Sequence, residues 1–253
     1  MKHIILTASI AILMSGSAFA QNEIKESKEA HALIIGVTGG FTSAWGNFTK
    51  TDYYNNKSGF AAGEYNLGIT GTYIIKKHFG ITALAGYQHF GIKGLQNLAA
   101  GYKEDFAIDS ATVYAKGTNY AINLMAGPYY SITAGKHLFI DIRGLAGLVN
   151  AHLAGNKVDV ENNVASSFEQ KSATANTVGY QLGAAIRYQF SNHFGVMIDA
   201  AYYYSKPEFT VENINRANNA GRLITRYNEP IQGTNLNLSF IYQLSTAKST
   251  KTI

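Results

Sequence analysis

The sequence contains no cysteine, only three prolines, and charged residues at just 15% of its 253 positions. The lack of cysteine excludes a disulfide framework and a cysteine metal cluster. The shortage of charge does not indicate disorder, because 46% of the residues are hydrophobic and proline is rare. Beyond the N-terminal stretch, the chain also lacks any apolar run of about 18 residues, the length of a membrane-spanning helix. The composition therefore excludes a helical membrane protein and leaves a charge-poor chain to be explained.

The first twenty residues have the features of a secretory signal peptide. Lys2 gives a basic start, residues 4–14 are apolar but too short to span a bilayer, and Ala18, Phe19 and Ala20 form an A-x-A cleavage site. We therefore predict a removed signal peptide at 1–20, followed by a flexible lead at 21–31. At the other end, 245–253 is predicted to be a flexible tail. The segment between them, 32–244, is the predicted folded domain.

Three short segments in that domain resemble one another. Each contains a histidine followed by hydrophobic residues, and the histidines His78, His137 and His193 recur about 57 residues apart. Apolar and polar residues alternate on both sides of each segment, which is typical of two strands joined by a tight turn. The repeat therefore indicates a series of β-hairpins.

Alternating residues predict eight strands in all. Between Val178 and Phe190, for example, every second residue is apolar, whereas the residues between them are small or polar. The predicted strands span 32–46, 60–75, 79–94, 114–132, 138–153, 175–190, 194–205 and 231–244. Their connections alternate between the tight turns and long loops, which are predicted at 47–59, 95–113, 154–174 and 206–230.

An even number of strands, with short turns on one side and long loops on the other, is the layout of a bacterial outer-membrane β-barrel. A soluble sandwich or lipocalin-type barrel would show the same alternation with the apolar face inside. The polar face favours the membrane barrel, because it is rich in Gly, Ala, Ser and Thr and lacks the Lys and Glu that coat soluble proteins. The predicted fold is an all-β, eight-stranded, antiparallel up-and-down transmembrane barrel with short periplasmic turns and long extracellular loops.

Few charged residues fall within the predicted strands, and those away from the strand ends fall on the polar face. They are Asp141, Arg143, Arg187, Asp199 and Glu64. Since an eight-stranded barrel is only wide enough for its own side chains, we predict that these residues form a hydrogen-bonded charge network with a structural role in the lumen. An ion or proton path is the functional alternative. Unpaired lumen charges would be costly, which favours the structural interpretation.

Aromatic residues collect near both ends of the predicted strands. Because aromatic side chains favour the two membrane–water interfaces, we interpret these residues as interfacial girdles and not as a platform for stacking sugars. The residues predicted to lie at the membrane interfaces are Trp45, Tyr73, Tyr130, Tyr188, Phe190, Phe240 and Tyr242.

The remaining residues do not predict a catalytic, metal or cofactor site. The turn histidines recur singly, with no second metal ligand at a useful spacing. His89 and His152 lie near the predicted outer rim, where a base can act on lipid, and keep a lipid-modifying enzyme open as an alternative. The formal net charge of +5 is dispersed, which argues against nucleic-acid binding. We therefore predict no catalytic residues, no metal and no cofactor.

The chain resembles the outer-membrane β-barrel (porin-like) proteins of the Bacteroidetes and, more distantly, the eight-stranded barrels of the OmpA and OmpX type. The resemblance covers 32–244 and depends on Gly-x-x-x-Tyr-like strands, such as Gly179 to Tyr188, and on the His-Phe-Gly turns. It implies the same fold and a location in the outer membrane of a Gram-negative cell. Such barrels usually end on an aromatic residue that the assembly machinery reads, whereas here a tail follows Phe240 and Tyr242.

Together these features predict an integral outer-membrane barrel with a side-chain-filled lumen and a structural or surface-interaction role in the cell envelope. A narrow porin or transporter for small solutes is the first alternative, and a lipid A-modifying enzyme is the second. The expected partners are outer-membrane lipid and lipopolysaccharide, the outer-membrane assembly machinery and an unknown extracellular ligand of the long loops. The chain is expected to be monomeric.

Overall fold

The computed structural model describes residues 31–55, 57–76, 78–160, 168–215 and 222–246. The predicted signal peptide, nearly all of the lead and most of the tail lie outside the described residues and stay predictions. The strands, in chain order, are β1 (His31–Ala44), β2 (Tyr65–Lys76), β3 (Phe79–His89), β4 (Ala111–Lys116), β5 (Tyr120–Thr133), β6 (Leu138–Leu153), β7 (Gly155–Val160), β8 (Phe168–Gln170), β9 (Ala173–Gln189), β10 (Phe194–Ser205), β11 (Glu208–Asn215), β12 (Arg222–Asn228) and β13 (Ile231–Thr246).

Eight of these strands form a closed antiparallel barrel in the order β1-β13-β10-β9-β6-β5-β3-β2. β1 pairs with β13 on one side, where Val37 lies opposite Phe240, and with β2 on the other side, where Val37 lies opposite Ile69. The first and last barrel strands therefore close the sheet, so the described barrel has no free edge. This arrangement confirms the predicted eight-stranded antiparallel barrel.

Side chains alternate along the barrel strands as the sequence pattern predicts. In β1, Val37 and Phe41 are exposed on the outer surface, whereas Thr38 is buried in the lumen. β9 repeats the arrangement, with Leu182 outside and Gln181 buried inside. The outer surface is thus apolar and much of the lumen is small or polar, the inverse of a soluble protein. Among the described residues, no helix is both long and apolar enough to cross a lipid bilayer.

The three tight turns share a backbone contact with the next strand of the barrel. Each turn histidine accepts a backbone hydrogen bond from that strand, at 2.8 Å for His78 and Ser131, 2.9 Å for His137 and Gln189, and 2.7 Å for His193 and Gln243. Each histidine ring also lies beside a tyrosine of the same strand, with centroids 5.9 Å apart for Tyr130, 6.3 Å for Tyr188 and 6.0 Å for Tyr242. The histidine repeat in the sequence therefore marks a repeated packing contact at this end of the barrel.

Three of the four long connections are not the plain loops that the sequence predicted. β12, β11, β8, β7 and β4 form a second antiparallel sheet, in that order, at the end of the barrel opposite the tight turns. The connection after β3 contains a helix, α1 (Leu95–Phe106). Nearly every described side chain of β12 is exposed, so no buried face imposes the alternation by which a strand is predicted. The sequence pattern therefore predicts a loop over 206–230, although this segment contains β11 and β12.

Three predicted strands are also wrong at the ends next to the long connections. The barrel strands begin at Tyr65 and Tyr120 and end at His89, whereas the sequence pattern extended them to 60, 114 and 94. Residues with a left-handed backbone interrupt the extended chain nearby, at Phe60 (φ 51°), Gly91 (φ 58°) and Gly117 (φ 87°). An extended strand cannot continue through such a residue. The break at Gly117 separates β4, in the second sheet, from β5, in the barrel wall.

Apolar side chains fill the mouth of the barrel beneath the second sheet. We name this group the upper plug, and it consists of Phe48, Phe90, Tyr203, Phe209 and Ile231, each of them 2% exposed or less. Phe48 and Phe90 pack edge to face with their ring centroids 5.1 Å apart. Phe48 comes from a short 3-10 turn (Gly46–Thr49) and Phe209 from β11. The long connections therefore fold back to close the mouth of the barrel.

Candidate functional sites in the lumen and beneath the second sheet

Arg187 and Asp141 form a buried ion pair between neighbouring strands β9 and β6. Arg187 Nε donates to Asp141 Oδ2 at 2.7 Å, and its Nη2 donates to Oδ1 at 3.2 Å. Ser131 completes the group, because its hydroxyl donates to Asp141 at 2.6 Å and accepts from Arg187 at 3.0 Å. The guanidinium also lies 4.2 Å from the centre of the Phe139 ring. The two-point geometry fixes both side chains in the lumen.

Arg143 and Asp199 form a second buried ion pair, which joins β6 to β10 across the lumen. Arg143 Nη2 donates to Asp199 Oδ2 at 2.8 Å, and the Asn237 side-chain amide donates to the same oxygen at 3.2 Å. Three buried atoms of this group have no hydrogen-bond partner among the described residues: Arg143 Nε, Asp199 Oδ1 and Asn237 Oδ1. Buried polar atoms of this kind are normally satisfied by internal water. The pair therefore needs only local water and not a continuous channel.

The space left around these two pairs is small. One lumen cavity has a volume of about 20 Å³ and is lined by residues that include Asp141, Arg143 and Arg187. A second cavity, also about 20 Å³, lies between Arg143 and Asn237. Each holds about one water molecule. The structure thus places four of the predicted charge-network residues in the lumen as two ion pairs, with only small cavities beside them.

The structure does not bring Glu64, the fifth predicted member, to this network. Glu64 immediately precedes β2, at the end of the barrel opposite the tight turns. Its Oε2 lies 2.7 Å from Nδ1 of His89. On its other side, His89 Nε2 lies 2.9 Å from the hydroxyl of Thr118. The prediction failed because β2 begins one residue after Glu64, so the strand alternation no longer fixes the direction of its side chain. Glu64 instead forms an acid–histidine–hydroxyl chain at the outer rim.

The seven predicted interface aromatics are all exposed on the outer surface of the barrel. Trp45 lies at the end that carries the long connections and contacts Tyr202, with centroids 6.2 Å apart. The other six lie toward the tight turns: Tyr73, Tyr130, Tyr188, Phe190, Phe240 and Tyr242. On the long-connection side, outward polar side chains bond to one another, Asn150 to Asn176 at 2.7 Å and His152 to Thr174 at 3.0 Å. These polar pairs mark the upper edge of the apolar outer band.

A cavity of about 260 Å³ lies beneath the second sheet, next to the upper plug. Its lining comes from several connections: Tyr53 and Phe60 after β1, Leu95 on α1, and Val211 and Tyr227 on β11 and β12. We name it the outer cavity. Side-chain amides also line it, from Asn55, Asn119, Asn156, Gln170 and Asn213. An apolar pocket with a few convergent polar groups is typical of a small-molecule site.

Glu229 lines the outer cavity and is only 1% exposed. Its Oε1 atom has no hydrogen-bond partner among the described residues. Burial raises the pKa of this carboxyl to about 8, and the same burial raises the pKa of the neighbouring Tyr227 phenol. Sequence reasoning missed Glu229, since a single acid in a polar segment between β12 and Pro230 gives no signal of burial. Only the packing of the second sheet over the barrel mouth places it there.

A closed eight-stranded barrel with an apolar outer band, aromatic residues at both ends and ion pairs in its lumen defines an outer-membrane β-barrel protein. Residues 7–243 match the family model of the outer membrane protein beta-barrel domain. The chain belongs to this family, whose members reside in the outer membrane. In barrels of this kind, the long connections lie on the extracellular side and the tight turns on the periplasmic side.

Solved structures of outer-membrane barrels are similar to the chain at low sequence identity. The chain is similar to a major outer membrane protein from Thermus thermophilus, with 11% identity, 85% of this chain and 99% of that chain covered, and a TM-score of 0.50. It is also similar to Ail, the attachment invasion locus protein of Yersinia pestis, with 15% identity, 86% and 100% coverage, and a TM-score of 0.41. No curated protein sequence matches the chain significantly. The family model therefore establishes the family of the chain, and the Thermus thermophilus structure agrees with its fold.

Proposed function

We propose that this protein is a non-conducting, non-enzymatic outer-membrane barrel that presents its second sheet at the cell surface, in a structural or surface-interaction role. The observation that supports this function best is the closure of the lumen at two levels. Near the extracellular mouth, the upper plug is apolar and almost completely buried. Below it, the pairs Arg187–Asp141 and Arg143–Asp199 occupy the lumen and leave cavities of about 20 Å³. A porin needs a continuous water-filled path through both levels.

Single-channel recording on the refolded full chain tests this proposal against the first alternative, a narrow porin or transporter. We expect no steady conductance in planar bilayers, because neither level of the lumen leaves room for a hydrated ion. A conducting porin refolded by the same protocol serves as the positive control. Steady conductance on the nanosiemens scale would contradict the closed barrel and favour the porin.

The proposed partners follow from the two surfaces of the molecule. Outer-membrane lipid contacts the apolar outer band and its aromatic ends, and lipopolysaccharide surrounds the extracellular rim. The assembly machinery would recognise β13, which carries Phe240 and Tyr242 on its outer face.

We also propose a monomer, because a closed barrel has no free strand edge to pair with a second copy. Light scattering on the detergent-solubilised protein tests the monomer, and a dimer mass would contradict it.

The hydrogen-bonded side chains of Thr118, His89 and Glu64 support a second candidate function, that of a lipid-modifying enzyme. A hydroxyl, a histidine and a carboxylate at 2.9 and 2.7 Å have the spacing of a nucleophile, base and orienting acid. Stacked side chains of Tyr65 and His89, with centroids 4.8 Å apart, place the group at the outer rim among interface aromatics. Mass spectrometry of lipid A from cells with and without the protein decides between the candidates. A mass change that His89→Ala abolishes would favour the enzyme, and unchanged lipid A would favour the binding role.

A further inference from the structure

Glu229 is a buried carboxyl group with no cationic partner among the described residues that line its cavity. The titratable residues lining the outer cavity are Tyr53, Tyr227 and Glu229, and no lysine, arginine or histidine is among its described lining residues. Tyr53 is held as a neutral phenol, because burial and a hydrogen bond to Asp105 raise its pKa. Asp105, on α1, bonds Tyr53 but does not itself line the cavity. A buried acid is costly unless something compensates for it.

Four cationic side chains in or beside the second sheet pair with acids other than Glu229. Lys116 bonds Glu169 at 2.5 Å, and Lys157 bonds Asp159 at 2.6 Å. Lys171 and Arg222 both form ion pairs with Glu212, with nitrogen–oxygen distances of 3.0 and 3.1 Å. These ion pairs lie on the strands around the cavity and leave Glu229 out. Since no described lysine or arginine lines the cavity, we expect the compensating charge to come from a bound ligand.

The rest of the cavity lining fits a cation with an apolar body. Amide oxygens, such as those of Asn156 and Asn213, can accept hydrogen bonds from an ammonium group. Phe60 and Tyr227 offer ring faces that attract a cation, and Leu95 offers apolar contact. A volume of about 260 Å³ accommodates a small molecule but not a peptide segment of any length.

We propose that the outer cavity binds a small organic cation whose ammonium group pairs with Glu229. This inference rests on the proposed surface-binding function, since it names the ligand class of the extracellular side. Binding of the cation supplies a counter-ion, so that the carboxyl group ionises, and supplies a hydrogen-bond donor to its unpartnered oxygen. Selectivity against anions and neutral molecules follows, because only a cation stabilises the ionised carboxylate, and the amide oxygens are acceptors.

The test is calorimetric titration of the refolded full chain in octyl tetraoxyethylene, a detergent without amine, choline or sugar groups. The probe is 2-phenylethylamine, and its matched controls are 2-phenylethanol, which is neutral, and phenylacetate, which is anionic. At pH 7 we expect saturable binding of the amine and at least tenfold weaker binding of both controls. We also expect release of nearly one proton, seen as a buffer-dependent heat, because the empty site is protonated at this pH and the bound amine ionises it.

Two test substitutions and one control substitution make the assignment specific to Glu229. Glu229→Gln keeps the shape of the side chain, removes the charge and should weaken amine binding at least tenfold. Glu208→Gln, at an exposed position on β11 of the same sheet, should leave binding unchanged. Asn213→Lys retains Glu229 but supplies an internal ammonium group, and should also abolish binding. Circular dichroism and heat-modified gel mobility confirm that each variant is folded.

Several outcomes overturn the proposal. These are no saturable amine binding, equal binding of the alcohol, or unchanged amine affinity in both folded variants, Glu229→Gln and Asn213→Lys. Displacement of the amine by equal concentrations of sodium or calcium chloride would assign the cavity to an inorganic cation instead. A conducting lumen in planar bilayers would contradict the closed barrel alone, so failure of the proposed function and failure of this site are distinguished.

Discussion

Arg187 illustrates how a charge is held inside a barrel whose wall faces lipid. Its guanidinium donates two hydrogen bonds to Asp141 and one to Ser131, and lies over the Phe139 ring. Each contact replaces hydration that the lumen cannot supply in bulk. Removing one partner leaves the other charge buried and unpaired, which costs more than the pair contributes in net stability.

Arg187→Leu should therefore destabilise the protein by about 3–5 kcal/mol, because Asp141 loses its only described cationic partner. The measurement is the midpoint of heat-induced unfolding in detergent, followed by circular dichroism. Arg226→Leu, at an exposed position on β12, is the matched control and should change the midpoint little. Adding Asp141→Leu to Arg187→Leu should recover part of the loss. An unchanged midpoint for Arg187→Leu would show that the pair does not contribute to stability.

Glu229 should make the stability of the protein depend on pH in a direction opposite to that of a salt-bridged acid. Burial raises its pKa from the ordinary 4.5 to about 8 in the folded protein. Between these two values the folded state keeps a proton that the unfolded state has lost, so stability falls as pH rises and levels off above pH 8. The unfolding midpoint of the wild type should fall relative to that of Glu229→Gln between pH 5 and pH 8. Parallel pH profiles for the two proteins would contradict this.

At the scale of the strand, the surroundings of an exposed side chain, lipid or water, determine how much a charged substitution destabilises the protein. Leu182 on β9 and Leu223 on β12 are exposed to a similar extent, 60% and 65%. Leu182 lies on the barrel wall, where the surroundings are lipid, whereas Leu223 lies in the extracellular sheet, where they are water. Leu182→Arg should therefore cost about 2–4 kcal/mol, and Leu223→Arg should be nearly neutral.

Refolding titrations with urea in phospholipid vesicles measure the free energy of unfolding of both leucine variants. Tryptophan fluorescence of Trp45, the one tryptophan of the chain, reports the transition. If both arginine variants lose the same free energy of unfolding, the loss does not arise from lipid around β9. If neither variant loses any, the β9 surface is not in lipid.

The barrel strands could be predicted from the sequence because one face of each strand is in lipid and the other in a narrow lumen, which imposes strict alternation. The pattern failed where that constraint ends. β12 has no buried face, and Glu64 lies one residue before β2, so neither carries a usable signal. The upper plug and Glu229 depend on how the long connections fold over the barrel mouth, and a residue such as Phe48 in a loop does not reveal its partners.

At the scale of the whole molecule, the lumen is closed by two structures of different origin. The ion pairs belong to the barrel strands and follow from their sequence, whereas the upper plug is built in part from the connections. Because the upper plug and the ion pairs lie at different depths in the lumen, each should block the passage of ions even when the other is removed. The connections thus do two things, since they close the mouth and form the outer cavity above it.

Phe90→Ala tests this division. Phe90 is fully buried against Phe48, so its removal should cost about 3–5 kcal/mol in the free energy of unfolding. Phe240→Ala removes the same ring from the lipid face, where it is exposed, and should cost less. Neither variant should conduct in planar bilayers, because Arg187–Asp141 and Arg143–Asp199 still occupy the lumen. Steady conductance in Phe90→Ala alone would mean that the ion pairs leave a path and that the upper plug is the gate.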